Sequence, residues 1–438
     1  MMKIHSFIFN FKKHVMIIFK IILFILFCVF LSNSFKYILI DDTKNYTRLT
    51  LHDMYNEKNN IDILFLGSSH CYRSLNPQIT DSIFKKNTFN LGTSGQFLDG
   101  TYTLLVEAEK NNNLKEVYID LYYDILGNDI KNRTELTSTY IISDYLKPSL
   151  NKYRYILESS NNEYWINGIL IARRKWKNYF NNEYKARILE KKDDISYKNY
   201  DRIFYENEYY DNKGFVANTE QVDSFINYDN FNNISKLSSS DIKYIKKIIK
   251  FCKKKNIKLV FFSSPMSDYM LIDNKNYDDY IIQIKDLLKD YKIDYYDFNL
   301  LKEDVFDSTN EKYFKDNDHL NFNGANELSK IFSDFFTGKI SKNDIFYSTY
   351  KEKIDNMSPQ IFGIIVKKNI LKNNIKVNLE PISNTSSNIK YKIYDNNKIF
   401  QNFDSKNYFI LNTNYRNKIT IETKLNNIIY KTFYLNIE

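Results

Sequence analysis

At 438 residues the chain exceeds one ordinary domain, so two or three folded units with a sizeable core are expected. Its 43% hydrophobic and 26% charged residues exclude a disordered chain, and only 10 glycines and 5 prolines exclude collagen-like or linker-rich designs. The net charge of +9 comes from dispersed lysines whose densest run, Lys253-Lys254-Lys255, closes a predicted helix, so nucleic acid is not an expected partner.

The abundance of Asn, Lys, Ile and Tyr over the whole chain reads as a codon bias rather than a binding signal. Three cysteines, Cys28, Cys71 and Cys252, lie too far apart for a metal spacing or a disulfide framework. No metal or cofactor is expected.

Residues 15–35 are almost wholly apolar and long enough to cross a bilayer. Lys20 interrupts them near the end where Lys12 and Lys13 sit, and its stem can snorkel to the headgroups. With Lys3 also on the amino side, the positive-inside rule puts residues 1–14 in the cytoplasm and the rest outside the cell. A cleaved signal peptide is the rival reading. Ser32-Asn33-Ser34 is a poor cleavage site and Phe27 before Cys28 argues against lipidation, so an uncleaved single-pass anchor is favoured.

A polar connector, 36–59, leads to the strand-like run Ile61–Leu66, which stops at Gly67-Ser68-Ser69-His70 before helical text from Pro77 to Lys86. Thr88–Leu91 reads as a second strand entering Gly92-Thr93-Ser94-Gly95. A helix over 99–111 and a strand over 116–121 complete a strand–helix rhythm that signals a parallel, doubly wound sheet. Residues 127–237 break the rhythm. They place Trp165, Trp176, Arg173, Arg174 and Lys175 on one predicted helix and carry dense tyrosines. This insert can line a cleft for an anionic or sugar-bearing substrate, although a helical subdomain packing its own aromatics is the plainer reading.

The rhythm resumes with a helix from Asp241 capped by Ser240 and ended by Asn256. Strands at Ile257–Ser263 and Ile293–Phe298 enclose a helix over 277–291. A loop, Asp316-Asn317-Asp318-His319-Leu320-Asn321, precedes a closing helix over 324–336. The parallel-sheet domain is thus expected over 60–126 and 238–340. After Gln360 the text alternates, with Asn426-Asn427 as a hairpin turn, and residues 356–438 are expected to form an antiparallel β-sandwich.

A serine on a strand-to-helix turn becomes a nucleophile when a base takes its proton and a carboxylate orients that base. His5, His14 and His52 lie in or before the connector, and His70 adjoins Ser69, where neighbouring side chains diverge. His319 remains, with Asp316 three residues before it.

The blocks Gly67-Ser68-Ser69-His70, Asn90-Leu91-Gly92-Thr93-Ser94-Gly95 and Asp316-Asn317-Asp318-His319 resemble, in order and setting, those of the SGNH (GDSL-like) hydrolase superfamily. The resemblance covers residues 60–125 and 240–337, a little under half the chain. It implies an α/β fold of flavodoxin-like three-layer type. It also implies a Ser69 nucleophile, a His319 base oriented by Asp316, and an oxyanion hole from the N–H groups of Ser69 and Gly95. The family's third oxyanion donor is an Asn after the third strand. Here Asp120-Leu121-Tyr122-Tyr123-Asp124 occupies that place, and Asn128 lies just downstream.

With an N-terminal anchor, the chain looks like the membrane-bound branch that works on cell-envelope polymers, alginate-type O-acetyltransferases and the esterase-like partner of teichoic-acid D-alanylation among them. The partners that this resemblance implies are an envelope glycan or polymer as substrate, the membrane, and a multispanning membrane acyltransferase. The expected function is an exported serine esterase or O-acyltransferase. The rival is a catalytically weak scaffold that binds a glycan or a membrane acyltransferase.

Overall fold

In a computed structural model the described residues are 2–34, 39–43, 45–57, 60–134, 136–159, 165–201, 203–228, 234–274, 276–385, 388–395, 398–412, 414–415, 417–426 and 428–436. They fall into two units. One joins Met1–Arg48 to Ile130–Ile203, and the other joins Leu49–Asp129 to Phe204–Glu438.

The first unit begins with helix α1, Met2–Ser34. Its stretch Lys12–Leu31 is long and apolar enough to cross a membrane and is exposed except at Cys28 and Val29, which are partly covered. Phe35, the far end of the expected span, lies outside the described residues. Short helices make up the remainder. The two tryptophans do not share one helix: Trp165 opens the helix Trp165–Ile169, and Trp176 opens the 3-10 turn Trp176–Phe180. Asp42, almost fully buried, accepts hydrogen bonds from Tyr145 Oη (2.9 Å) and Tyr197 Oη (3.0 Å) and is flanked by Lys191 and Arg48. A buried carboxylate persists when it is matched in this way by cations and donors.

The second unit is built on a parallel sheet. Strand β1 (Ile63–Leu66) is buried on both faces and runs into helix α2 (Ser69–Ser74), then α3 (Pro77–Phe84). Strand β2 (Thr88–Asn90), helix α4 (Leu98–Asn111) and strand β3 (Glu116–Asp120) follow. Three short strands form a small antiparallel sheet: β4 (Phe204–Tyr205), β5 (Glu208–Tyr210) and β6 (Val216–Asn218). A two-residue strand, β7 (Ile226–Asn227), comes next. Helix α5 (Ser239–Lys255), strand β8 (Lys258–Ser263), helix α6 (Tyr277–Lys289), strand β9 (Tyr295–Asp297), helix α7 (Phe322–Phe336) and helix α8 (Tyr350–Asn356) close the α/β part.

The sheet order is β2-β1-β3-β8-β9, all parallel, which is 2-1-3-4-5 by appearance. The order reverses between β1 and β3, and the crevice at the carboxyl ends of those strands is where such sheets bind ligands. The period of two puts Ile63, Phe65, Tyr118, Val260 and Phe262 on one face, against Leu328 and Phe332 of α7. The cap of α5 is Ser238 rather than Ser240. Ser238 accepts from the Asp241 N–H while the Asp241 carboxylate accepts from the Ser238 N–H, a capping box that starts the helix earlier. Asn256 ends α5 in the left-handed conformation, as its text suggests.

The remaining strands are β10 (Ile361–Leu371), β11 (Asn374–Ser383), β12 (Ile389–Asp395), β13 (Lys398–Asp404), β14 (Tyr408–Asn412), β15 (Lys418–Leu425) and β16 (Ile428–Asn436). They form two sheets, β14-β11-β10-β7 and β13-β12-β15-β16, whose pairs are antiparallel except β10 with β7. Val377 and Leu379 of one sheet share a core with Ile393, Ile421 and Phe433 of the other. At the last hairpin Asn426 has φ +48°, and Asn427 lies outside the described residues.

Candidate active site

Gly67 ends β1 where a side chain would not fit. A Cβ there would lie 2.7 Å from Asp120 Cβ and 2.8 Å from Cys71 Cβ. Ser68, buried, caps α2 by accepting from the His70 N–H (3.4 Å). Its hydroxyl is therefore engaged in the turn. Ser69 is the first helical residue, half-buried, with Oγ 2.8 Å from His319 Nε2.

The loop after β2 lies against the same turn. Thr93 N–H donates to Gly67 O (3.1 Å), and a Cβ on Gly92 would meet Ser68 O at 3.0 Å and Tyr72 N at 3.1 Å. Asn90 ties strand to helix by donating to Cys71 O (2.8 Å) and Leu75 O (3.1 Å) while accepting from the Gly92 N–H (3.1 Å). Two residues past Thr93, Gly95 sits at φ +60°, a conformation that favours glycine. The Ser69 N–H, at the first turn of α2, has no intrahelical acceptor.

His319 stands on a narrow loop. Phe314 and Leu320 form an antiparallel bridge, and Lys315 N–H donates to His319 O (3.0 Å). Asp316 Oδ1 accepts from the N–H groups of Asp318 (3.1 Å) and His319 (2.7 Å), which folds the loop over its own carboxylate. Ser267 Oγ donates to Asn317 O, and Asn317 Nδ2 donates to Ile226 O (2.9 Å). Asn321 then caps α7 through the N–H groups of Asn323 and Gly324.

Two carboxylates meet the imidazole. Asp316 oxygens lie 3.2 and 3.1 Å from His319 Nδ1, and Asp318 Oδ1 lies 2.9 Å from the same nitrogen. Nδ1 thus keeps its proton and Nε2 is left to accept from Ser69 when the ring is neutral. Burial pulls the His319 pKa down, but the hydrogen bonds and charges of Asp316 and Asp318 outweigh it and raise the ring to about 9. Burial pushes both carboxyls up. The His319 hydrogen bond wins in each case, and holds Asp318 well below the usual carboxylate range.

Sequence reasoning passed over Asp318 and the structural place of His70. The His70 ring is stacked between Tyr122 (3.8 Å, 29°) and His319 (4.5 Å, 24°), with Nε2 3.4 Å from Asp318 Oδ2 but outside hydrogen-bond geometry. Burial and then the His319 charge lower its pKa, which keeps it neutral beside a charged neighbour. Tyr122 Oη donates to Asp318 Oδ2 (3.1 Å). The signal for Asp318 was present in Asp316-x-Asp318-His319, but adjacent side chains normally diverge and only the loop's tight fold turns both acids inward.

His70, Asp318 and His319 bring ligand-type atoms within 4.8 Å of one another. The two imidazole rings of this group are stacked, 24° apart in plane.

Asn128 is exposed, and its carboxamide donates to Asp124 O (3.4 Å) and Ile125 O (3.5 Å) within its own turn. The turn is fixed by the Gly127 N–H, which donates to Asp241 (2.8 Å). Asn128 therefore spends its donors locally rather than on the Ser69–His319 pair. Of the residues in the expected oxyanion slot, Tyr122 turns to Asp318. Asp124 is exposed, its pKa raised by partial burial and by the Asp318 charge.

A family model that carries no description matches residues 146–341. No curated protein matches the chain. Among solved structures, a candidate acylhydrolase from Bacteroides fragilis superposes with a TM-score of 0.30 and 10% identity, covering 65% of this chain and 93% of that one.

Proposed function

We propose that the chain is an exported, membrane-anchored serine esterase or O-acyltransferase of the SGNH type, acting on acyl esters of a cell-envelope glycan or polymer. The observation that carries the reading is the 2.8 Å contact of Ser69 Oγ with His319 Nε2, whose Nδ1 faces Asp316 and Asp318. The 2-1-3-4-5 sheet order, that of flavodoxin-like folds, supports it by setting Ser69 at the switch point. Helix α1, with its lysines on the amino side, supports the anchor and the outward orientation.

In this mechanism neutral His319 takes the Ser69 proton as Oγ attacks the acyl carbonyl. The imidazolium that forms is held by Asp316 and Asp318. The N–H groups of Ser69 and Gly95 receive the oxyanion. His319 then protonates the leaving alcohol, and water or a sugar hydroxyl, activated by the same ring, releases the acyl group from Ser69. Hydrolysis and transfer differ only in that acceptor.

The block after β3 favours a second reading, a weakly active scaffold for a glycan or a membrane acyltransferase, because Tyr122 and Asp124 stand where a third oxyanion donor is expected. Losing one such donor costs on the order of 10²–10³ in rate. A fluorophosphonate probe separates the two. Labelling of the full chain that disappears in Ser69→Ala and His319→Ala supports the enzyme. Equal labelling of Ser69→Ala refutes the assigned nucleophile. Acyl release measured with and without polysaccharide then distinguishes hydrolysis from transfer.

A further inference from the structure

Within the first unit, a basic and aromatic turn follows directly on a short helix that packs on the apolar helix. The short helix Ile171–Lys175 packs on α1. Along the span only Cys28 and Val29 are partly covered, and the residues before them from Lys12 are exposed. Those two residues lie about 3–5 Å along the helix axis from Leu31, the outward end of the span. The part of the span that the fold covers is consequently at the level where a spanning helix leaves the hydrocarbon.

The 3-10 turn Trp176–Phe180 follows directly. Trp176 is 51% exposed and Phe180 73% exposed, and their rings meet edge to face at 5.8 Å. Residues 171–180 hold four cations, Arg173, Arg174, Lys175 and Lys177, and no acid. Arg174 is occupied inside the unit by Asp144 (2.6 Å) and the Tyr140 ring, whereas Arg173 and Lys177 are exposed. Large aromatic rings left in water beside exposed cations are costly in a soluble surface. The same pair of residue types is what the headgroup layer of a bilayer receives, rings at the interface and cations at the phosphates.

We propose that the Trp176–Phe180 turn, with Arg173 and Lys177, docks on the outer headgroup layer of the membrane that α1 crosses. The inference rests on the reading of α1 as an anchor. The committed occupant is lipid, since the surface is continuous with a helix of bilayer length and its charge complements anionic headgroups. The docked turn fixes the rotation of the first unit about the anchor, which a single helix leaves free.

The chain has two tryptophans, so Trp165→Phe leaves Trp176 as its sole indole reporter. The full-length variant is placed in nanodiscs of phosphatidylglycerol and phosphatidylcholine. Lipids spin-labelled just below the headgroup are expected to quench Trp176 about twofold or more, labels near the acyl-chain ends much less, and aqueous acrylamide weakly. Discs that retain the chain while neither lipid label quenches Trp176 overturn the docking and leave the anchor standing. Protection from acrylamide without lipid quenching marks a protein partner and also overturns it. A chain that alkaline carbonate strips from the discs refutes the anchor, and the docking with it. None of these readouts depends on esterase activity.

Discussion

Neutralising Asp318 by Asp318→Asn is the sharpest test of how the site works. His319 rises from 6.5 to about 9 in the fold, which corresponds to roughly 3 kcal/mol in favour of the imidazolium, a net effect that already includes the opposing burial term. The groups that face the ring are Asp316, Asp318 and the stacked His70, with Lys315 on Asp316 Oδ2 (2.8 Å), the oxygen that also faces His319 Nδ1. Asp318 is the nearer carboxylate, at 2.9 Å, and is the more buried of the two. An equal share between the acids assigns Asp318 about 1–2 kcal/mol, so the variant should lower the pKa of His319 by about one unit and kcat by about tenfold. The assay is the pH profile of kcat/KM for p-nitrophenyl acetate, with the full chain in nanodiscs. Because the base must be neutral to act, activity of the parent climbs with pH up to about 9. In Asp318→Asn the acid limb should move to lower pH, and Asp316→Asn should retain activity well above Ser69→Ala. An acid limb that stays near 9 in Asp318→Asn, with an unchanged plateau, refutes the two-carboxylate account.

The same shift makes a stability prediction. His319 is raised above its unfolded value, so its contribution is fully present below pH 6.5 and is lost as pH rises through about 9. The stability gap between the parent and His319→Gln in urea denaturation should close over that window. Gly214→Ala should cost roughly 2–4 kcal/mol, because φ is +84° and a Cβ would lie 1.6 Å from Asn90 O, at the residue that ties β2 to α2. Fluorophosphonate labelling should fall alongside the urea midpoint. Lys353, fully buried, donates to Asp268 (2.9 Å), Asn299 O (2.9 Å) and Ser308 Oγ (2.8 Å), and Lys353→Ala leaves the buried Asp268 carboxylate with its Tyr350 and Ser308 hydrogen bonds but without this counter-ion. A loss of roughly 3–5 kcal/mol in the same denaturation is expected.

The parallel sheet could be read because two of its central strands are apolar runs that end in Gly or Ser, at Leu66-Gly67 and Phe262-Ser263. The alternation after Gln360 likewise reads directly as antiparallel strands. Strand β7 could not be read. Two residues have no period, and their pairing partners, Ile364 and Ile365, lie over a hundred positions away. Ser69, Asp316 and His319 stand out in the sequence by residue type and order, and the fold brings the three together. Asp318 and His70 did not stand out, because each is a sequence neighbour of a residue already assigned. Their approach depends on the Asp316 side chain folding the loop and on the stacking of two rings from distant segments. Asn128 matched a residue type at a plausible distance, but the turn at Gly127 consumes its donors.

Strand β7 also sets a limit on modularity. It is hydrogen-bonded into the sandwich through β10, and Ile226 O accepts from Asn317, inside the loop that carries Asp316 and His319. Val222 N–H donates to Phe314 O (3.0 Å) at the root of that loop, and Tyr269 Oη donates to Ile364 O (3.0 Å), its ring lying where a Cβ on Gly363 would be. The C-terminal sandwich is therefore a wall behind the histidine loop rather than an appendage. Exchanging it for another β-module would unseat His319, so the sandwich is free to diverge only on the faces turned away from β7.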